Sequence, residues 1–92
     1  MGRKRSRDQI ICKILHVCVG ANKTQIVYSS NLNFRTVVPY LDLLIRNELV
    51  ETVEDGALRY RTTPKGAKVL QHFQEIETLI PEMEVEVEEG LA

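Results

Sequence analysis

The sequence predicts a mostly α-helical domain with a small β-hairpin, its elements running helix, helix, helix, strand, strand, helix. Three observations carry that prediction. Helix-start chemistry recurs ahead of apolar residues that repeat every three or four positions. Two short β-prone runs flank Asp55-Gly56-Ala57, which is hairpin-turn chemistry. A two-stranded hairpin is marginal in water by itself, so it has to lie against the helices.

The first helix begins at Ser6, where Ser6 and Gln9 form a capping box over the first free amides. Ile10, Ile11, Ile14, Leu15, Val17 and Cys18 fall on one half of this helix, and Gln9, Cys12, Lys13 and His16 on the other. Gly20 supplies a left-handed stop. Asn22 and Gln25 repeat the capping pattern and open a short helix to about Ser30, with Ile26 and Val27 buried. Asn33 caps a third helix, in which Val37, Leu41, Leu44 and Ile45 share a face until about Asn47. Pro39 lies inside that pattern, where it removes a backbone bond and crowds the preceding turn. Either the helix starts near Pro39 or it runs on through a kink; the kinked helix is the preferred reading.

Residues 49–54 and 58–62 are the two strands. Thr63-Pro64 starts the last helix: the hydroxyl caps it, and the proline fills a first-turn position that needs no amide hydrogen. That helix runs to about Ile80 and stops at Pro81. The organisation expected is a flexible basic arm over 1–5, a domain body over 6–63, a last helix over 64–80 and a disordered acidic tail over 81–92.

Ninety-two residues make one domain. A chain this short buries only about 60–65% of its unfolded surface, so a partner that covers more apolar area would help it. The segment from Ile10 to Val19 is interrupted by Lys13 and His16, which predicts neither a signal peptide nor a membrane span, and a cytoplasmic protein. The net charge of −1 conceals a strong segregation. Residues 1–68 hold all 12 lysines and arginines with six acids, whereas 69–92 hold seven acids and no basic residue except His72. A basic body that meets a polyanion is one reading of this, and ordinary solvated surface with an acidic end is the other.

Catalytic chemistry has little to build on. There are two histidines, no glycine-rich phosphate loop and no nucleophile elbow, so an enzyme is not expected. Cys12 and Cys18 lie about 240° apart around a helix and cannot bridge, so both are read as reduced thiols. Cys12 and His16 share a face at a spacing that can hold a metal. Only His72 is available as a third ligand, and the better reading is surface packing without metal or cofactor.

The order of elements is that of a winged helix-turn-helix, and specific residues carry the likeness. Lys23-Thr24-Gln25-Ile26-Val27-Tyr28 with Asn31-Leu32-Asn33 resembles a short second helix and its turn. Residues 40–50 resemble a recognition helix running into the first wing strand, and Tyr60-Arg61-Thr62-Thr63-Pro64-Lys65-Gly66 resembles the hinge from wing to last helix. Over residues 6–80 the chain is similar to a group of small archaeal winged-helix proteins that bind DNA and pair through the C-terminal helix.

That resemblance implies double-stranded DNA as partner, with the third helix entering the major groove. Asn33, Arg35, Thr36, Tyr40 and Arg46 are then the candidates to reach the bases, and Arg35 suits guanine or phosphate. Asp42 opposes these cations, and Pro39 stands where the family often carries a polar or basic residue. Phosphate contacts fall to Arg3, Lys4, Arg5 and Arg7 in the arm, Lys23 at a helix start, Arg59 and Arg61 on one strand face, and Lys65. The plain alternative for Arg59 and Arg61 is a solubilising outer face. Glu54-Asp55-Gly56 makes an acidic wing tip that phosphate would repel.

Val69, Phe73, Ile76 and Ile80 recur at four, three and four, a heptad seam suited to homodimer pairing. Gly66, Ala67 and Leu70 are expected to face the domain's own core. The function expected is therefore DNA binding by a homodimeric transcriptional regulator or architectural protein. Two rivals stand beside it: a winged helix that docks on transcription machinery, and a regulator that responds to redox state or metal through Cys12 and His16.

Overall fold

In the computed structural model, which describes residues 7–80, four helices and three short strands follow one another. They are α1 (Arg7–Val17), β1 (Val19–Ala21), α2 (Lys23–Ser30), α3 (Phe34–Arg46), β2 (Val50–Glu54), β3 (Leu58–Thr62) and α4 (Pro64–Leu79). The expected arm over 1–5, Ser6 with its cap, and the expected tail over 81–92 lie outside the described residues.

Local capping chemistry fixes the helix starts. The Asn22 side chain accepts the Gln25 amide at 2.8 Å, and Gln25 accepts the Asn22 amide at 2.9 Å, a reciprocal box at the head of α2. Asn33 accepts the Thr36 amide at 2.9 Å and opens α3, which continues through Pro39 as one helix. Thr63 Oγ1 accepts the Gly66 amide at 3.0 Å, with Pro64 in the first turn of α4. Asn31, at φ 61°, ends α2 in the left-handed conformation that a short polar side chain tolerates.

The sheet has one strand more than the hairpin predicted from the sequence. β3 is central, paired antiparallel with β2 on one side and with β1 on the other. Val19-Gly20-Ala21 therefore does more than stop a helix: Gly20, at φ 88°, lies within an edge strand whose register with β3 shifts at that point. β2 and β3 pair in regular register from Val50 opposite Thr62 to Glu54 opposite Leu58.

One core joins all these elements. Ile14, Leu15 and Cys18 from α1 meet Ile26 from α2, Val37, Leu41 and Leu44 from α3, Val50 from β2 and Tyr60 from β3. The buried Ser30 hydroxyl donates to the Val27 carbonyl at 3.3 Å, which satisfies it within its own helix. β3 is tied to the end of α1 by Thr62, whose hydroxyl donates to the Leu15 carbonyl at 2.7 Å and whose amide donates to the Cys18 carbonyl at 2.9 Å.

α4 runs back along α1. Its start is joined through Thr62 to the end of α1, and further along it the Glu77 carboxylate comes close enough to raise the pKa of the Cys12 thiol. Val69 and Leu70 pack against the core, Gly66 is buried, and Ala67, expected to face inward, is exposed. Among the described residues no helix is long and apolar enough to cross a membrane.

Candidate nucleic-acid interface

α3 is sharply two-sided. Val37, Leu41 and Leu44 point into the core. At 3.6 residues per turn the opposite pole falls to Arg35, Pro39, Asp42 and Arg46, and all four are exposed. Among the described residues, neither arginine has an ion-pair or hydrogen-bond partner. The remaining candidates on this helix are differently placed. Asn33 is exposed but engaged as the cap, Thr36 is half-buried, and Tyr40 packs partly against the core on the flank of the helix.

The cations outside α3 divide into free and engaged. Arg7 is exposed at the start of α1, whereas Arg3, Lys4 and Arg5 lie outside the described residues. Lys23 is half-buried in the first turn of α2, where the Asn22 side chain already takes one of the amides expected to favour an oxyanion. Arg59 donates to the Gly20 carbonyl at 3.1 Å. Arg61 stands opposite Glu51 in the sheet, its Nε 3.0 Å and its Nη2 2.8 Å from the same carboxylate oxygen. That pair is solvent-exposed and adds little stability, yet it cancels one positive charge on the outer strand face.

Lys65 is not on the α3 pole. Its Nζ donates to the Asn47 carbonyl at 3.1 Å, beyond the last turn of α3. A helix of 13 residues is about 20 Å long, so Lys65 is separated by roughly that length from Asn33 and Arg35. Beside it, Thr63 Oγ1 donates to the Glu48 carbonyl at 2.7 Å and the Thr63 amide to the Leu49 carbonyl at 3.0 Å. Three consecutive carbonyls after α3 are thus held by two residues at the head of α4. Gly66 completes the joint, because a Cβ there would collide with the Leu49 carbonyl oxygen.

Glu51, the partner of Arg61, is the residue of this surface that the sequence reading missed. The signal was available in the hairpin: once Glu54 pairs with Leu58 across the turn, strict alternation sets Glu51 against Arg61.

The seam on α4 divides into two halves. Val69 belongs to the domain's own packing and Phe73 is half-buried. Past them, Ile76, Leu79 and Ile80 are 40%, 79% and 53% exposed, an apolar end to the helix that its own domain leaves open.

Cys12 and His16 gather no third ligand: among the described residues there is no group of three metal-binding side chains. His72 faces Glu75 at 3.7 Å. Burial pushes the Cys12 thiol up to about 11, helped by the carboxylates of Glu77 and Asp8, and burial alone takes Cys18 to about 12. Both thiols are therefore protonated and poor as nucleophiles or metal ligands at neutral pH.

Comparison with known proteins agrees with this geometry. Residues 4–81 match the winged helix-turn-helix family. Two uncharacterized proteins of Methanocaldococcus jannaschii are similar in sequence: MJ0290 at 35% identity over 79 residues, and MJ0287 at 31% over 75. These matches cover 84% and 79% of this chain, but 36% of the first protein and 74% of the second. Among solved structures, Sso10a-2, a DNA-binding protein from Sulfolobus solfataricus, superposes with a TM-score of 0.76 at 23% identity, covering 86% of this chain and 85% of its own. A MepR mutant from S. aureus follows at 0.64 and 19%, covering 88% and 68%. The PcaV transcriptional regulator of Streptomyces coelicolor gives 0.60 and 15%, covering 90% and 65%. At these identities the structural likeness speaks for the fold, and the extended sequence match decides the family. The chain belongs to the winged helix-turn-helix family.

Proposed function

We propose that this protein binds double-stranded DNA as a homodimer, as a transcriptional regulator or an architectural protein of the cytoplasmic nucleoid, and is not an enzyme. The observation that carries the reading is the outer pole of α3, where Arg35 and Arg46 stand exposed without partners among the described residues. A helix bearing free guanidinium groups on the face turned from the core suits the major groove, where arginine binds guanine or phosphate. The likeness to Sso10a-2, itself a DNA-binding protein, supports the same reading.

Homodimer formation is supported by Ile76 and Ile80 of the apolar seam on α4, with Leu79 beside them, all three exposed. Burying three such side chains contributes several kcal/mol, at about 1.5–3 kcal/mol each when burial is complete. Two copies paired there would offer two α3 helices to one duplex. Arm cations Arg3, Lys4 and Arg5, together with Arg7 and Lys23, would add phosphate contacts that weaken steeply as salt rises.

A second reading has its own observation. Pro39 and Asp42 share the pole with the two arginines, and Glu51 neutralises Arg61, so the face is less cationic than groove binding favours. This supports docking on a protein of the transcription machinery. Mobility-shift titrations of duplex DNA at two salt concentrations, with the full chain and with Arg35→Ala and Arg46→Ala, separate the two. DNA binding predicts a shift at low salt, weakened in both variants, with the salt slope reduced by about one for each phosphate no longer neutralised. No shift at low salt removes the reading, and unchanged affinity in both variants favours the docking module.

A further inference from the structure

We propose that Asp42 reads sequence: its carboxylate accepts a hydrogen bond from the exocyclic amino group of a cytosine in the major groove, so the preferred duplex carries a C·G pair beneath α3. The inference rests on the DNA-binding reading above and names what that surface selects.

Asp42 is exposed in the middle of α3, on the same pole as Arg35 and Arg46. Arg46 follows it by one turn, about 6 Å along the axis, and Arg35 precedes it by two turns, about 10 Å. The spacing to Arg46 suits an ordinary surface ion pair. Yet among the described residues Asp42 forms no ion pair with Arg46 or with any other cation. Nor does it lie in the first turn, where a carboxylate would favour the helix dipole. Aspartate is also a weaker helix former than glutamate, lysine or glutamine, any of which would serve an indifferent surface better. Among the described residues the carboxylate therefore has no structural partner.

Against a duplex it would be repelled by every phosphate. The groove floor is different, because cytosine presents an amino donor there and guanine presents only acceptors. A short acidic side chain flanked by two arginines matches a C·G pair: the carboxylate takes the cytosine amino group while a neighbouring guanidinium takes the guanine O6 and N7. The axial distance from Asp42 to Arg46 spans about two base-pair steps at 3.4 Å, so one guanidinium can serve the same pair or the next. Repulsion from phosphate then sharpens the choice: with thymine in place of cytosine the carboxylate faces the O4 acceptor and the methyl group, and the amino group of adenine sits beside its N7 acceptor, where an amide fits better.

The test is binding-site selection by the full chain from duplexes randomised over their central positions. It is followed by competition between two duplexes of equal length that differ only in one C·G pair changed to T·A. Wild type is expected to enrich cytosine at one position per half-site and to prefer the C·G duplex by roughly fivefold to a hundredfold. Asp42→Asn should move the enrichment at that position to adenine, which pairs with an amide, and Asp42→Ala should abolish it. Both variants should bind unselected duplex more tightly than wild type, having lost a charge that faces phosphate. Wild-type binding without base enrichment, or enrichment unchanged in both variants, overturns the proposal and leaves DNA binding standing. Failure of wild type to bind any duplex overturns both.

Discussion

The ammonium group of Lys65 lies 3.1 Å from the backbone carbonyl of Asn47 and closes the C-terminal end of α3 from the first turn of α4. A cation there meets the negative end of the α3 dipole and satisfies a carbonyl that the helix leaves free. Lys65→Met should therefore lower stability by about 0.5–1.5 kcal/mol in urea unfolding. Its effect on duplex affinity and on the salt slope should be small beside that of Arg35→Ala. A loss of DNA affinity as large as the Arg35 variant's, with stability unchanged, would place Lys65 on the phosphate backbone instead.

Gly66 is fixed by its close packing rather than by backbone torsion. A methyl group at this position would overlap the Leu49 carbonyl oxygen and crowd Thr62. Gly66→Ala should force α4 away from the strand it abuts, at a cost of about 1–3 kcal/mol or more. Thermal unfolding checks this; a variant within about 0.5 kcal/mol of wild type, the spread of indifferent surface changes, would show that the joint yields easily.

The Arg61–Glu51 pair gives a prediction of opposite sign. Glu51→Gln leaves Arg61 with an uncompensated charge on the exposed strand face and should strengthen duplex binding at low salt, with a steeper salt slope. Arg61→Ala should weaken binding, because it leaves the Glu51 carboxylate uncompensated on the same face. Stability should move by less than about 1 kcal/mol in either variant, as for exposed ion pairs generally. Unchanged affinity and salt slope in Glu51→Gln would mean that the strand face does not approach DNA.

The thiols make a pH prediction. Each folded pKa is raised from 9.0, to about 11 for Cys12 and about 12 for Cys18. The folded state thus holds protons that the unfolded chain releases first. The resulting stabilisation is complete below pH 9 and disappears as pH climbs through 11 and 12. At about pH 8, iodoacetamide should modify both cysteines far more slowly than an unfolded control, with Cys18 the slower, and alkaline unfolding should set in above about pH 9. Rapid modification of Cys12 under the same conditions would contradict its desolvated environment.

Much of this fold was legible in the sequence because its punctuation is local. Asn22 with Gln25, Asn33, and Thr63 with Pro64 each satisfy amides within three residues, so no tertiary information is needed to read them. β1 was not legible. Its three residues show no alternation, and they form a strand only because β3 arrives much later in the chain to pair with them. The site was readable in part for the same reason. Wheel position offered Asn33, Arg35, Thr36, Tyr40 and Arg46 as the open residues of α3; Arg35 and Arg46 are exposed but Thr36 and Tyr40 are half-buried, and it did not reveal that Arg59, Arg61 and Lys65 are occupied by Gly20, Glu51 and Asn47. Those partners lie 39, 10 and 18 residues away. The heptad spacing on α4 was visible too, yet spacing alone does not say that Val69 packs on the core while Ile76 and Ile80 stay exposed.

The joint at residues 47–49 has a consequence for how a duplex would be chosen. Two residues at the head of one helix clamp three successive carbonyls behind another, so swivelling α3 to suit a target would strain the joint with α4. On the DNA-binding reading, a mismatch in curvature or groove width would then fall to the nucleic acid, and easily bent base steps would become part of the address even where no side chain touches them.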